Sequence, residues 1–350
     1  MFLEEIFSMI IKILIALLVF MVVVTFHEFG HFIIAKKSKI KVNEFSVGMG
    51  PKICSKQKGE TLYSLRALPL GGYCAMEGED EGEIENKDFS NTGNFNQAPI
   101  IRRLFTIFAG PFFNFILAFL IMFLVFTFRG CQTTTVSDVV ENSPAKKYGI
   151  KAEDTIIKIE NYNIKNWQDI QTSLSKLNKE TVNVTVLRDN KEKEIKLSFD
   201  GSNKKMLGIK SKLKRNIFVS IKEAFKTIIY FIVSMFEVLK GLFTGKVGVG
   251  QLSGPIGVVG AISSAASSGI FPLLYITAFI SVNLGFINLL PIPALDGGRL
   301  LFLIIELIKG KPISREKEGL VHTIGFICLM VLILFVSFKD VIRLGIFGAK

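Results

Sequence analysis

The sequence predicts a multi-span α-helical membrane protein of about four transmembrane helices, with a membrane-associated β-hairpin and an inserted, mostly β domain. Three observations carry this reading. Apolar residues make up 49% of the 350 residues and the mean hydropathy is +0.44, beyond the needs of a soluble core. Several apolar runs reach the ~20 residues that a bilayer-spanning helix requires. Between the second and third of them the chain turns polar and alternates in short β-type runs.

The net charge of +12 does not point to nucleic acid. Basic residues are scattered through the hydrophilic stretches, with no dense block interleaved with aromatics, so anionic membrane lipids are the expected partners. Cys54, Cys74, Cys131 and Cys328 lie far apart and suggest neither a disulfide framework nor a sulfur-ligated metal. Glu4 and Glu5 stand where a signal peptide carries Lys or Arg, so the first helix is expected to stay in the mature protein.

In chain order, residues 1–38 form the first span, closed by Lys36, Lys37, Lys39 and Lys41. Those lysines suit a cytoplasmic boundary. Residues 39–103 follow as a cytoplasmic-side loop with short strands or a hairpin near the membrane. Its acidic patch from Glu77 to Glu85 lacks calcium-loop spacing and reads as a solvated loop. The second span, 104–128, contains Ala109-Gly110-Pro111 and Asn114; small residues and a proline mark close packing or a break near a site. Residues 133–213 form the outside β domain. Residues 214–270 are an amphipathic region, since Lys222, Glu223, Lys226 and Glu237 fit an interfacial helix better than a span. The G-x-G spacing near Gly248 lacks a βαβ context and is rejected as a dinucleotide signal. The third span with its terminal motif covers 271–300. A basic loop (301–320), the fourth span (321–338) and a tail (339–350) complete the chain. Four crossings put both termini outside.

The first span ends in His27-Glu28-Phe29-Gly30-His31. A helix brings residues i and i+4 onto one face, so the two histidines can share a metal ion. Glu28, one step round, can act as general base on a water at that metal. A chance match is the competing reading, because the motif fixes only three residue types. Charged and imidazole groups inside an apolar run are nevertheless costly unless they face protein or a wet cavity. Two histidines leave a catalytic zinc one protein ligand short. Asp296 closes the third span at about the depth of His27, and on its own reads as an ordinary Asp-Gly turn. Pro291 and Pro293 shift that reading, because broken backbone at membrane depth is tolerated only beside protein or a water-filled cavity. His322, opening the fourth span, matches no ligand spacing and reads as structural or interfacial.

With these residues in hand, the sequence resembles the site-2 proteases, intramembrane zinc metalloproteases, almost end to end. The run from His27 to Phe32 is similar to the family's zinc motif. The run from Asn288 through Pro291, Pro293 and Asp296 to Gly298 is similar to its second signature. Gly48-Met49-Gly50-Pro51 resembles the family's membrane-associated β-loop, and Leu68 to Tyr73 and Ala109 to Asn114 also match. The outside domain resembles a single circularly permuted PDZ domain, through Ser143-Pro144-Ala145, Tyr148-Gly149-Ile150, Asp154 to Ile157 and Leu207-Gly208-Ile209. Glu153 departs from it, standing where such domains have glycine. The layout is closest to the bacterial regulator-of-sigma-factor proteases with one PDZ domain.

The resemblance implies that His27, His31 and Asp296 bind Zn2+ and that Glu28 is the catalytic base. Asn288, Pro291 and Pro293 would hold the substrate backbone, with Asn114 a weaker candidate. Gly48 and Gly50 would pair with substrate by strand addition. The implied substrates are single-span membrane proteins, such as anti-sigma factors already cut outside, or signal-peptide remnants. The implied place is the plasma membrane, with the PDZ domain extracytoplasmic and the active site near the cytoplasmic side. A metal transporter or sensor, and a non-catalytic PDZ scaffold, are the competing classes. Glu28 argues against the first, since a transporter needs no base beside its ligands. The intact set of four residues argues against the second.

Overall fold

The computed structural model describes residues 2–79, 93–177, 180–199, 206–248, 250 and 253–343. The chain divides into two units, residues 1–122 with 224–350, and residues 123–223. Most of the acidic stretch read as a solvated loop falls at 80–92, outside the described residues.

In the first unit, helix α1 (Phe2–Lys37) is apolar along nearly its whole length and ends in the basic turn Lys36-Lys37. The chain then turns into a long hairpin, β1 (Val42–Lys58) and β2 (Thr61–Met76). The first half of β1 is flanked twice by β2: Phe45 lies opposite Cys74 on one side and Tyr63 on the other. The second half closes the hairpin at Lys58 opposite Thr61. Gly48 (φ +84°) and Gly50 (φ +80°) mark the bend between the halves. A Cβ on Gly48 would lie 2.8 Å from Leu68 O, so the backbones meet where no side chain fits.

The hairpin is seated on α1 by aromatic rings. Phe32 lies 5.0 Å from Phe45 and 5.8 Å from Tyr63, and Phe29 lies 6.3 Å from Phe45. Helix α2 (Ile100–Arg129) carries Pro111 inside it without ending there.

The second unit is a six-stranded antiparallel sheet formed by β3 (Cys131–Val139), β4 (Thr155–Ile159), β5 (Tyr162–Asn163), β6 (Thr181–Arg188), β7 (Lys191–Ser198) and β8 (Ile209–Lys214). The order is β7-β6-β4-β3-β8, with β5 on β4. The alternation in β6 sends Val182, Val184 and Val186 into one core with Val136, Ile156, Ile159 and Leu197. Two helices accompany the sheet, α3 (Pro144–Lys147) and α4 (Trp167–Lys176). Asn166 and Asp169 form a capping box that starts α4. Glu153 adopts φ +69°. The turn that glycine favours is therefore kept at this position by a residue with a side chain.

Helix α5 (Ile217–Phe243) begins in the second unit and belongs to the first from Ala224 onward. Phe231 is buried against Tyr275 and Phe279 of α7 (Ile270–Leu289), and Phe236 packs on Phe286. The region read as amphipathic through residue 270 does not stay so: Pro255–Ser267 forms a short apolar helix, α6, in contact with α1, α7 and the last helix, α9 (Arg315–Arg343). Its small residues allow that close packing, and Asp340 of α9 accepts a hydrogen bond from Gly257 N–H at 2.8 Å. A second difference follows α7. The stretch read as a loop from residue 301 is helical, because Asp296–Lys309 forms one amphipathic helix, α8. The sequence reading ended the span at the prolines and missed that a new helix begins at Asp296. Among the described residues four helices are long and apolar enough to cross a membrane: Ile6–Lys37, Ile100–Arg129, Ile270–Leu289 and Glu316–Arg343.

Candidate metal centre

His27 and His31 sit one turn apart on α1, both only 6% exposed, with rings edge to face at 4.9 Å. They are positioned by close helix packing. A Cβ on Gly30 would lie 2.4 Å from Ala109 O, so α1 and α2 touch backbone to backbone at this level. A Cβ on Gly110 would lie 2.1 Å from His31 Nε2, so only glycine leaves room for that imidazole. On the other side of α2, Gly285 of α7 admits Pro111 O, and Ser281 Oγ donates to Asn114 O at 2.8 Å. The Ala109-Gly110-Pro111 run thus marks a helix crossing built from small residues.

The outer nitrogens of both rings are engaged. His31 Nδ1 donates to Thr106 O at 2.8 Å, which turns its Nε2 lone pair toward the centre. His27 Nδ1 lies 3.1 Å from the amide of Asn114, a fully buried residue. For His27 Nε2 to be a ligand, Nδ1 must carry the proton and the amide oxygen must accept it. Asn114 therefore stands at the outer edge of the His27 ring.

Asp296 arrives from α8. Leu290 and Ile292 each precede a proline, which pushes them out of helical backbone and ends α7 at Leu289. The chain re-enters a helix at Asp296, whose carboxylate is favoured at a helix N-terminus. Asp296 Oδ2 lies 3.0 Å from His27 Nε2 and 3.4 Å from His31 Nε2, and the two nitrogens are 3.2 Å apart. Ligand atoms around a tetrahedral zinc stand about 3.3–3.4 Å from one another, given metal–ligand distances near 2.0–2.1 Å. Asp296 Oδ2 is also buried without a hydrogen-bond partner, an orphan that a cation satisfies. The residues fit zinc. Among the described residues this is the only cluster of its kind.

Glu28 is half-buried next to His27, with its carboxyl in electrostatic reach of His27, His31 and Asp296. Asn288 turns its amide back onto α7, donating to Leu284 O at 3.0 Å. Pro293 packs against Gly325 of α9. Gly48 and Gly50 lie in the bend of β1, on the hairpin that packs on α1 through Phe29 and Phe32. Sequence reasoning missed the Thr106 carbonyl, which no side-chain pattern encodes.

Two histidines one turn apart, a carboxylate from a distant helix and a glutamate beside them, set among long apolar helices, are the donor set and base that a membrane metallohydrolase centre uses. Residues 15–332 match peptidase family M50. A relative from Clostridium acetobutylicum bearing an inferred zinc-metalloprotease name is 38% identical over 336 residues, 95% of this chain and 97% of its own. The zinc metalloprotease RasP of Geobacillus kaustophilus is 30% identical over 405 residues, covering 93% of this chain and 96% of its own. A Fusobacterium nucleatum relative, likewise inferred to be a zinc metalloprotease, is 33% identical over 348 residues, 95% and 98% of the two chains. The chain belongs to peptidase family M50, the site-2 protease family, and is a multi-pass membrane zinc metalloprotease.

Proposed function

We propose that this chain is an intramembrane endopeptidase that cuts single-span membrane proteins within their spans. The observation that carries the reading is the buried triangle of His27, His31 and Asp296 with Glu28 beside it, on a helix long enough to cross a bilayer. His27, His31 and Asp296 hold the zinc. When bound, zinc supplies Lewis-acid chemistry, polarising a carbonyl and making water a better nucleophile at neutral pH. Glu28 takes the proton of the attacking water and passes it to the leaving amine. Thr106 and Asn114 hold the two imidazoles in their ligand tautomers.

A helical substrate hides its peptide bonds, so it must be drawn out before it is cut. In β1, residues 44–47 are paired on both sides by β2 and offer no free edge. Strand addition therefore falls to the stretch beginning at Gly48, with Gly50 beside it. Asn288, Pro291 and Pro293 hold the extended substrate from the opposite, α7 side. Residues 133–213 act as an extracytoplasmic PDZ domain that admits only substrates already trimmed outside, such as anti-sigma-factor-like proteins and signal-peptide remnants. Lys36, Lys37, Lys39 and Lys41 support a metal site near the cytoplasmic face of the plasma membrane.

The test uses purified protein in detergent or liposomes and one single-span reporter, with its outer domain intact or removed. Cleavage within the span of the trimmed form alone, abolished by a zinc chelator and restored by zinc, is the expected result. Cutting outside the span, or cutting indifferent to the chelator, contradicts the proposal.

A further inference from the structure

Asp296 reaches the metal centre from a loop with few means of holding itself. Pro291 and Pro293 have no N–H to donate. Ile292 N–H donates to Leu290 O and Leu295 N–H to Ile292 O, both inside the loop. Ala294 is different: its N–H leaves the loop and donates to Nδ1 of His322, on α9, at 2.9 Å.

Ala294 is also the residue that most needs an outside hold. It adopts φ +75°, in the left-handed region that disfavours any residue with a Cβ. Every other described non-glycine residue with positive φ carries a polar side chain; Ala294 has none with which to offset the conformation locally. One turn along α9 from His322, Gly325 lets the loop approach: a Cβ there would lie 2.4 Å from Pro293 Cβ and 2.8 Å from Pro293 O. The His322 ring packs on Phe302 of α8, centroids 5.5 Å apart. With Nδ1 accepting, a neutral imidazole carries its proton on Nε2, and that buried atom makes no hydrogen bond, with Glu318 Oε1 no nearer than 3.9 Å. A buried N–H that makes no hydrogen bond is a cost that a leucine filling the same space would avoid. The bond at Nδ1 is what the histidine gains in return.

We propose that His322 is a positioning residue for the metal centre. Through Ala294 N–H it fixes residues 291–295, so that Asp296 Oδ2 stands 3.0 Å from His27 Nε2 and 3.4 Å from His31 Nε2. This rests on the reading of Asp296 as a ligand and extends it to a residue that matches no ligand spacing.

The test compares full-length wild type, His322→Leu and His322→Asn, whose amide can place an acceptor where Nδ1 stands. The readouts are zinc loss to a chelator, and kcat and KM on a single-span substrate. His322→Leu is expected to lose zinc about tenfold faster or more, with a similar fall in kcat. Its KM should rise as well, because the latched stretch includes Pro291 and Pro293; faster zinc loss is the readout that a substrate contact alone would not move. His322→Asn should recover most of both losses. Adding Ala294→Gly to His322→Leu should restore zinc retention, since glycine holds the left-handed backbone unaided. Wild-type zinc retention and kcat in His322→Leu overturn the proposal, as does a His322→Asn variant that is folded and equally impaired. If His322→Leu does not fold, His322→Gln takes its place: its amide reaches the Nε2 position instead, and values equal to those of His322→Asn overturn the proposal. Should wild type cut no substrate, the peptidase reading fails separately, and zinc retention alone decides on the latch.

Discussion

A methyl group on Gly110 would sit 2.1 Å from His31 Nε2, closer than any non-bonded contact allows, and against the atom that faces His27 and Asp296. Gly110→Ala should therefore weaken zinc retention at least about tenfold, as disturbing a ligand's support does elsewhere. Metal analysis of the purified variant, with thermal unfolding to show that it remains folded, checks this. Full zinc content would mean that α2 can shift and that the close crossing is not required. At this scale His27, Glu28 and His31 were legible because a helix converts their spacing directly into a shared face. Asp296 was legible only through its neighbours, the two prolines that break the backbone before it. Gly110, Thr106 and His322 were not assigned their roles, because each acts on a partner at least 28 positions away. Spacing within one element says nothing about such pairs.

Among the elements, the β unit offers the cleanest energetic test. Asp154 is 1% exposed, and burial alone would push its carboxyl up. Hydrogen bonds from Arg188 Nε and Nη2, each 2.7 Å, and from Lys151 N–H outweigh that and hold it below the usual aspartate range. A carboxyl depressed in the folded state stabilises fully above its unfolded pKa of about 3.9, and the contribution is lost as pH falls through the folded value. Trp167, the one tryptophan of the chain, packs against this core and reports on the unit by fluorescence. Arg188→Met should destabilise the unit by about 3 kcal/mol at neutral pH, because it strands a buried charge. The loss should shrink toward the acid range, where Asp154 is protonated in both states. An unchanged midpoint at neutral pH would show that the pair is dispensable. The strands themselves were legible from period-two alternation, as in β6. Helix α8 was not, because a proline-glycine interruption reads equally as the end of a span and as the start of a new helix. Helix α6 was hidden by glycine and serine, which signal a loop in water and close packing among apolar helices.

For the whole molecule, the four apolar helices were legible from run length, while α5 depends on how its charges are weighed. If α5 lies on the outer interface, cysteines placed at Lys222 and Glu237 should react with a membrane-impermeant thiol reagent from the same side. Reaction from opposite sides would make α5 a fifth crossing, and would place Asp296 across the membrane from His27 in a chain that brings them to 3.0 Å. The central claim is that this triangle holds zinc for Glu28 to use in cutting a substrate inside the bilayer. Its most direct test measures zinc content and intramembrane cleavage together for wild type, Glu28→Gln and Asp296→Ala, on one trimmed single-span substrate. Glu28→Gln should keep the wild-type zinc content and lose cleavage by about 10²–10⁴-fold, as removal of a general base does. Asp296→Ala should lose both zinc and cleavage. A Glu28→Gln protein that cuts at the wild-type rate would contradict the account.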